Sequence, residues 1–236
     1  MTVTSSLDCE ILDFEPVDDE AADFDILIYD CEIIKMIPPN PKFVELDFGR
    51  GEQLPVELLP GIEYCKGWGD HKGMGISVIG YCYGLRGAPV AALPEYPNHA
   101  DMAAFQGLAS SVTVVGFSSR GFDDKLCACF GIAVETDYDL LEEIRIAAGY
   151  EASFRSVPKG MSYKLDAIAR ANGMAKTGSG ELAPKLWQQG KRQEVIDYCL
   201  HDVAITRDTL KLGLEGKLVD PNTGNLLQLR PLPKPF

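Results

Sequence analysis

The chain reads as one α/β domain whose sheet opens as an antiparallel meander and continues as strands alternating with helices. Two observations carry that reading. Three apolar runs of strand length, Phe24 to Ile34, Gly75 to Tyr83 and Ala88 to Leu93, come early, and the last two face each other across the turn Gly84-Leu85-Arg86-Gly87. From Val112 onward, short apolar strands alternate with stretches whose apolar residues recur at helical spacing, which is the pattern of parallel strands joined through helices. With 236 residues the chain is long enough for one sizeable core.

Each element has its own local signal. The opening run, Phe24-Asp25-Ile26-Leu27-Ile28-Tyr29-Asp30-Cys31-Glu32-Ile33-Ile34, is a buried strand interrupted by two carboxylates. Residues i and i+2 of a strand share a face, so Asp30 and Glu32 project together. Burying two like charges is costly unless a positive group lies between them, and a divalent metal is the simplest such group. An edge strand with its carboxylates in water is the alternative. Asp18 and Glu20 repeat the same spacing in a polar stretch, so the pair needs further carboxylates to mean more. The Pro- and Gly-rich segment Pro38 to Gly75 is too long for a plain connection and is expected to hold small elements of its own.

A helix fits Ala100 to Ala109, followed by the strand Val112 to Phe117 and a helix from about Gly121. Tyr138 to Leu141 is a short strand leading into a helix that ends at Gly149. Ser162 is placed to cap a helix running to Ala171, with Asn172-Gly173 as its stop. A short helical piece covers Glu181 to Gln189. The last helix, about Gln193 to Leu212, carries Val195, Cys199, Val203, Thr206 and Leu210 on one stripe. Beyond it, Leu218 to Leu227 reads as a hairpin about a Pro-Asn-Thr-Gly turn, and the tail Arg230 to Phe236 holds three prolines.

The net charge of −13 argues at first against a nucleic-acid partner, but the charge is segregated. Residues 1–25 hold nine acids and no base, as expected of a solvated leader. Residues 155–192 hold eight bases against Asp166 and Glu181, either an ordinary solvated face or a surface for phosphates. Seven cysteines without a Cys-x-x-Cys pair suit reduced core thiols rather than a disulfide framework or a structural zinc site. No apolar run reaches the roughly 20 residues that span a bilayer, and the N-terminal residues lack the basic-then-apolar layout expected of a signal peptide. The expectation is a cytoplasmic protein.

Two more groups bear on chemistry. Tyr198 and Asp202 are one helical turn apart on the last helix, the only Tyr-x-x-x-Asp in the chain. Phe122-Asp123 falls where a strand hands over to a helix, whose N-terminus favours an anion. Singly, each has an ordinary reading as a core aromatic, a solvated carboxylate or a first-turn charge.

As a set and in this order, the three groups resemble the exonuclease motifs of the DEDD superfamily. The tyrosine is similar to that of the DEDDy branch, which includes polymerase proofreading domains. The resemblance spans roughly residues 24–213, with 1–23 as leader and 214–236 as C-terminal hairpin and tail. It implies a ribonuclease-H-like fold, an α/β mixed sheet flanked by helices. It also implies that Asp30, Glu32, Asp123 and Asp202 hold two Mg²⁺ or Mn²⁺ ions, and that Tyr198 orients the attacking water. Four oxygen donors suit such hard cations. The implied activity is 3′-to-5′ hydrolysis at single-stranded DNA or RNA ends, with Ser118, Phe122, Lys185, Lys191 and Arg192 as substrate-binding candidates. Trp68, Trp187 or Phe122 would stack on a base, with core packing the ordinary reading of the two tryptophans. The chain departs from the family pattern where Ser118 replaces an expected Asn and Ile33 follows Glu32. His201 stands beside Asp202, not five residues before it as in a sister branch. The alternatives are a binding or scaffold protein that keeps the fold without turnover, and a ribonuclease-H-like endonuclease.

Overall fold

The computed structural model describes residues 24–40, 43–46, 50–53, 57–175 and 180–233, so the expected acidic leader lies outside the described residues. Strand β1 (Ile26–Ile33) is the centre of the fold. Its odd-numbered residues Leu27, Tyr29, Cys31 and Ile33 enter one apolar cluster with Phe105, Leu126 and Cys127. Ile26 and Ile28 enter another on the opposite face. A strand apolar on both faces belongs inside a covered sheet, and that is where β1 lies.

The segment after β1 carries a separate antiparallel pair, β2 (Phe43–Leu46) and β3 (Arg50–Gln53), and a one-turn helix α1 (His71–Met74). The Asp70 carboxylate caps α1, accepting from the N–H groups of Gly73 and Lys66. Strand β4 (Ile76–Tyr83) then returns antiparallel to β1, and β5 (Val90–Ala92) adds antiparallel to β4 at the sheet edge. Helix α2 (Ala100–Ala109) leads to β6 (Thr113–Gly116), which pairs parallel with β1 through Ile26, Leu27 and Ile28. A 3-10 turn, Ser119–Gly121, precedes α3 (Asp123–Cys129). β7 (Tyr138–Asp139) is parallel to β6 and runs straight into α4 (Leu140–Ala147). The five-stranded order is β5-β4-β1-β6-β7. This is the mixed α/β sheet expected of a ribonuclease-H-like fold.

β7 is shorter than the sequence pattern suggests because the Asp139 carboxylate accepts from the N–H groups of Leu141 and Glu142, which starts the helix at once. Helix α5 (Leu165–Ala171) likewise begins later than expected. Ser162 does not cap it; its hydroxyl accepts from the Lys164 N–H in a local turn, and Lys164 takes the cap position. Helix α6 (Ala183–Gln188) opens with Pro184, whose missing N–H costs nothing in a first turn.

Helix α7 (Arg192–Leu214) is the long element, about 34 Å at 1.5 Å per residue. Its predicted stripe, Val195, Cys199, Val203, Thr206 and Leu210, is buried throughout. It crosses β1 and β4 on the face that carries Ile28, Asp30 and Glu32. The segment after α7 is anchored to the same core. Leu218, Leu227 and Leu229 are buried with Ile26 and Leu210, Tyr138 donates to the Arg230 carbonyl, and the Arg230 Nε is 2.7 Å from Glu143. The predicted hairpin reduces to a bridge between Val219 and Leu226. Cys31, Cys65, Cys82, Cys127, Cys129 and Cys199 are free thiols, and all but Cys129 are buried. Among the described residues no helix is long and apolar enough to cross a membrane.

Candidate metal centre

The site begins with a glycine. Gly80 on β4 lies directly across from Asp30 on β1. A Cβ at position 80 would lie 2.8 Å from Cys199 Sγ and 3.0 Å from Val203 Cγ2, both on α7. The helix therefore sits as close to the strand pair as it does because nothing projects there. Cys199 Sγ reaches the Asp30 carbonyl at 3.7 Å. Tyr198 and Asp202 flank Cys199 on the helix, and this close approach brings them over the strand carboxylates.

The result is a group of three carboxylates, Asp30, Glu32 and Asp202, whose ligand oxygens all lie within 4.8 Å of one another. Glu32 and Asp202 are buried, and Asp30 is half-buried. At an effective dielectric near 20, two unit charges at that spacing repel by roughly 3 kcal/mol. Three such pairs make the fully ionised cluster unfavourable without a compensating proton or cation. The donors are all oxygen, which matches hard divalent ions such as Mg²⁺ or Mn²⁺ rather than thiolate-seeking metals. β1 also shifts register against β4 between Glu32 and Ile33, an irregularity of the kind that re-aims side chains beside sites.

Tyr198 completes the cluster. Its hydroxyl is hydrogen-bonded to Asp202. Burial, with the negative charges of Asp202 and Glu32 added, pushes its phenol far above the ordinary tyrosine range. It is a proton donor held in place, not a base.

Asp123 stands apart. It opens α3, is 4% exposed, and does not belong to the three-carboxylate group. Burial pushes its carboxyl up to about 8; the Ser119 hydroxyl opposes the shift, while Cys127, Asp124 and Asp139 add to it. Its field acts on Tyr29 and Cys31, which point to the face of β1 opposite Asp30 and Glu32. The structure thus gathers Asp30, Glu32, Asp202 and Tyr198 and leaves Asp123 beside them rather than among them. The neighbouring Asp124 has a different task, accepting from Tyr29, from Thr136 N–H at 3.1 Å and from the Thr136 hydroxyl at 2.7 Å.

Ser118 is exposed and left-handed, with φ +68°, the one non-glycine with positive φ among the described residues. Its N–H donates to Asp139 at 3.0 Å. Asn adopts this backbone more readily than Ser does. Phe122 is half-buried, its ring 6.1 Å from that of Trp68 and 5.7 Å from that of His71. The basic candidates are more occupied than their sequence setting suggests. Lys191 pairs with Glu194 at 3.1 Å. Arg192 pairs with Glu95 at 2.6 Å and lies 4.7 Å from the Trp187 ring centroid. Trp187 is a core residue, while Lys185 is half-buried on α6.

Sequence reasoning missed Gly80, although an isolated glycine inside Ile-Ser-Val-Ile-Gly-Tyr is the recognised signal of close backbone approach. It also missed Cys199 as the residue that fills that approach.

No family model matches the chain, and no curated protein does. Among solved structures, the fold is similar to that of a family B DNA polymerase from the hyperthermophilic archaeon Pyrobaculum calidifontis, with a TM-score of 0.50 and 14% sequence identity. The match covers 86% of this chain and 26% of the polymerase, so the chain spans about a quarter of that protein's length, and the likeness is one of fold.

Proposed function

We propose that the protein is a metal-dependent 3′-to-5′ exonuclease acting on single-stranded ends of DNA or RNA. The observation that carries this reading is the convergence of Asp30, Glu32 and Asp202 within 4.8 Å, with Tyr198 bonded to Asp202. The polymerase-like fold is compatible with it, and so is the order of the three motifs.

The donor set fits a hard divalent ion, and Asp30, Glu32 and Asp202 are the residues that would hold it. Divalent ions so placed would make a water nucleophilic near neutral pH and neutralise the leaving 3′ oxygen. The three carboxylates hold position because β1 is rigid on both faces and α7 is locked against Gly80. Tyr198 stays protonated and orients a water by hydrogen bonding, with Asp202 fixing the direction of its hydroxyl. The reaction adds that water to the terminal phosphorus, breaks the bond to the 3′ oxygen, and releases a nucleoside 5′-monophosphate. No side chain need form a covalent intermediate. Asp123, buried and outside the three-carboxylate group, would have to join it for a second ion to be held.

That last requirement favours one competing reading, a nucleic-acid-binding protein with weak or no turnover. Incubating 3′-labelled and 5′-labelled single strands with Mg²⁺ or Mn²⁺ separates the two. A ladder shortening from the 3′ end that vanishes in Asp30→Asn and Asp202→Asn is expected. Retention without cleavage would select the binding protein, and internal cuts would select an endonuclease.

A further inference from the structure

Trp68, on the loop before α1, is 64% exposed on a chain whose other tryptophan is buried. It does not stand alone. Its ring meets Phe122 edge-on at 6.1 Å, and His71 packs on the same Phe122 at 5.7 Å. Phe122 in turn rests on the core cluster that contains Tyr29 and Cys31. Trp68 and His71 come from the segment between β1 and β4, which is tied to the end of β1 by the Lys35 N–H to the Met74 carbonyl and the Ile34 N–H to the Gly75 carbonyl. Phe122 follows β6, which is parallel to β1. All three rings therefore lie at the carboxyl end of the parallel pair, on the Tyr29 and Cys31 face of β1 and across that strand from Asp30 and Glu32.

The same elements carry charge. Lys66 and Lys72 lie on the loop and helix of Trp68 and His71, and Lys125 lies on α3. All three are exposed, and none forms an ion pair with an acid among the described residues. In the 155–192 region Arg170, Lys191 and Arg192 are paired with Asp166, Glu194 and Glu95.

We propose that Trp68, backed by Phe122 and His71, is a stacking shelf for an unpaired nucleobase of the bound strand, with Lys66, Lys72 and Lys125 meeting the adjoining phosphates. A flat exposed ring supported from behind offers a π-face to any base, which gives affinity without sequence preference. A base inside a duplex has both faces covered by its neighbours, so the shelf favours unpaired bases of a single strand. The proposal rests on the exonuclease reading only for the position of the 3′ terminus, since binding itself needs no turnover.

The test uses the wild-type chain in EDTA with a fluorescein-labelled ten-residue oligothymidylate, followed by anisotropy and by quenching of tryptophan emission. Trp68→Ala is expected to weaken binding by about 5-fold to 150-fold and to remove most of the quenching, whereas Trp68→Phe keeps most of the affinity. Lys66→Ala, Lys72→Ala and Lys125→Ala together are expected to reduce the slope of log affinity against log salt by about 2. Unchanged affinity in Trp68→Ala would overturn the shelf, whether or not the protein cleaves. Trp68-dependent binding without cleavage would leave the shelf standing and overturn the exonuclease alone.

Discussion

Gly80→Ala is the substitution on which the assembly of the site depends most. The new methyl would lie 2.8 Å from Cys199 Sγ, 3.0 Å from Val203 Cγ2 and 3.4 Å from the Cys199 backbone carbon. Carbon contacts are comfortable at about 3.5–4.0 Å, so the overlap is roughly 0.7 Å against the sulfur. The two short contacts are to the side chains of Cys199 and Val203, both fully buried, so relief requires them to repack or α7 to move away from β4. Overpacking of this kind costs about 1–3 kcal/mol. For a domain of this size each kcal/mol lowers Tm by about 2–4 °C. The helix carries Tyr198 and Asp202 with it, and a displacement near 1 Å at reacting groups costs about 100-fold in rate. Thermal unfolding and Mn²⁺ titration followed by electron paramagnetic resonance should both show the damage. Cys199→Ala in the same chain removes the closest contact and should restore part of both. An unchanged Tm and Mn²⁺ affinity in Gly80→Ala, or no recovery in the double variant, would refute the view that this glycine sets the helix-to-strand distance.

Three other outcomes follow from particular residues. Asp123 has a folded-state pKa raised to about 8, so its contribution to stability is complete below the unfolded value near 4 and is lost as pH rises through 8. In EDTA, Asp123→Asn should melt close to wild type at pH 4 and above it at pH 9; a constant offset across that range would contradict the buried-carboxyl assignment. Tyr198→Phe removes the bond to Asp202 and the hydroxyl that orients water, so kcat should fall by about 10-fold to 100-fold with oligonucleotide affinity little changed, as steady-state and binding measurements will show. Ser118→Asn places a residue suited to a left-handed backbone at φ +68° and should stabilise the chain by about 0.5–1 kcal/mol in urea unfolding, against no change if the conformation is unstrained.

Much of this architecture was legible in the residues, for physical reasons. β1 is apolar on both faces apart from its two carboxylates, so the shared face of Asp30 and Glu32 follows from the period of two, while its central position, against the edge-strand alternative, comes from its pairing with β4 and β6. The α7 stripe is long enough for its period to be unambiguous, and Tyr198 and Asp202 sit at fixed angles to it. Asp123 was legible as a helix-start acid but not in its direction. That direction depends on a left-handed Ser118 followed by a 3-10 turn, a backbone path with no apolar period to report it. Within the basic stretch, the pairing of Arg192 with Glu95, 97 residues away in sequence, is likewise a contact that no local pattern reports. The Ser162 cap failed because a serine two residues before a helix can satisfy its own turn just as well.

The most direct test is Mn²⁺ binding by the intact chain, compared across Asp30→Asn, Glu32→Gln, Asp202→Asn and Asp123→Asn. The geometry predicts that each of the first three abolishes the tightest site, because each removes one of the three oxygens that lie within 4.8 Å, while Asp123→Asn keeps it. Tight binding that survives loss of Asp202, or that disappears only with Asp123, would contradict a metal centre built by α7 on β1.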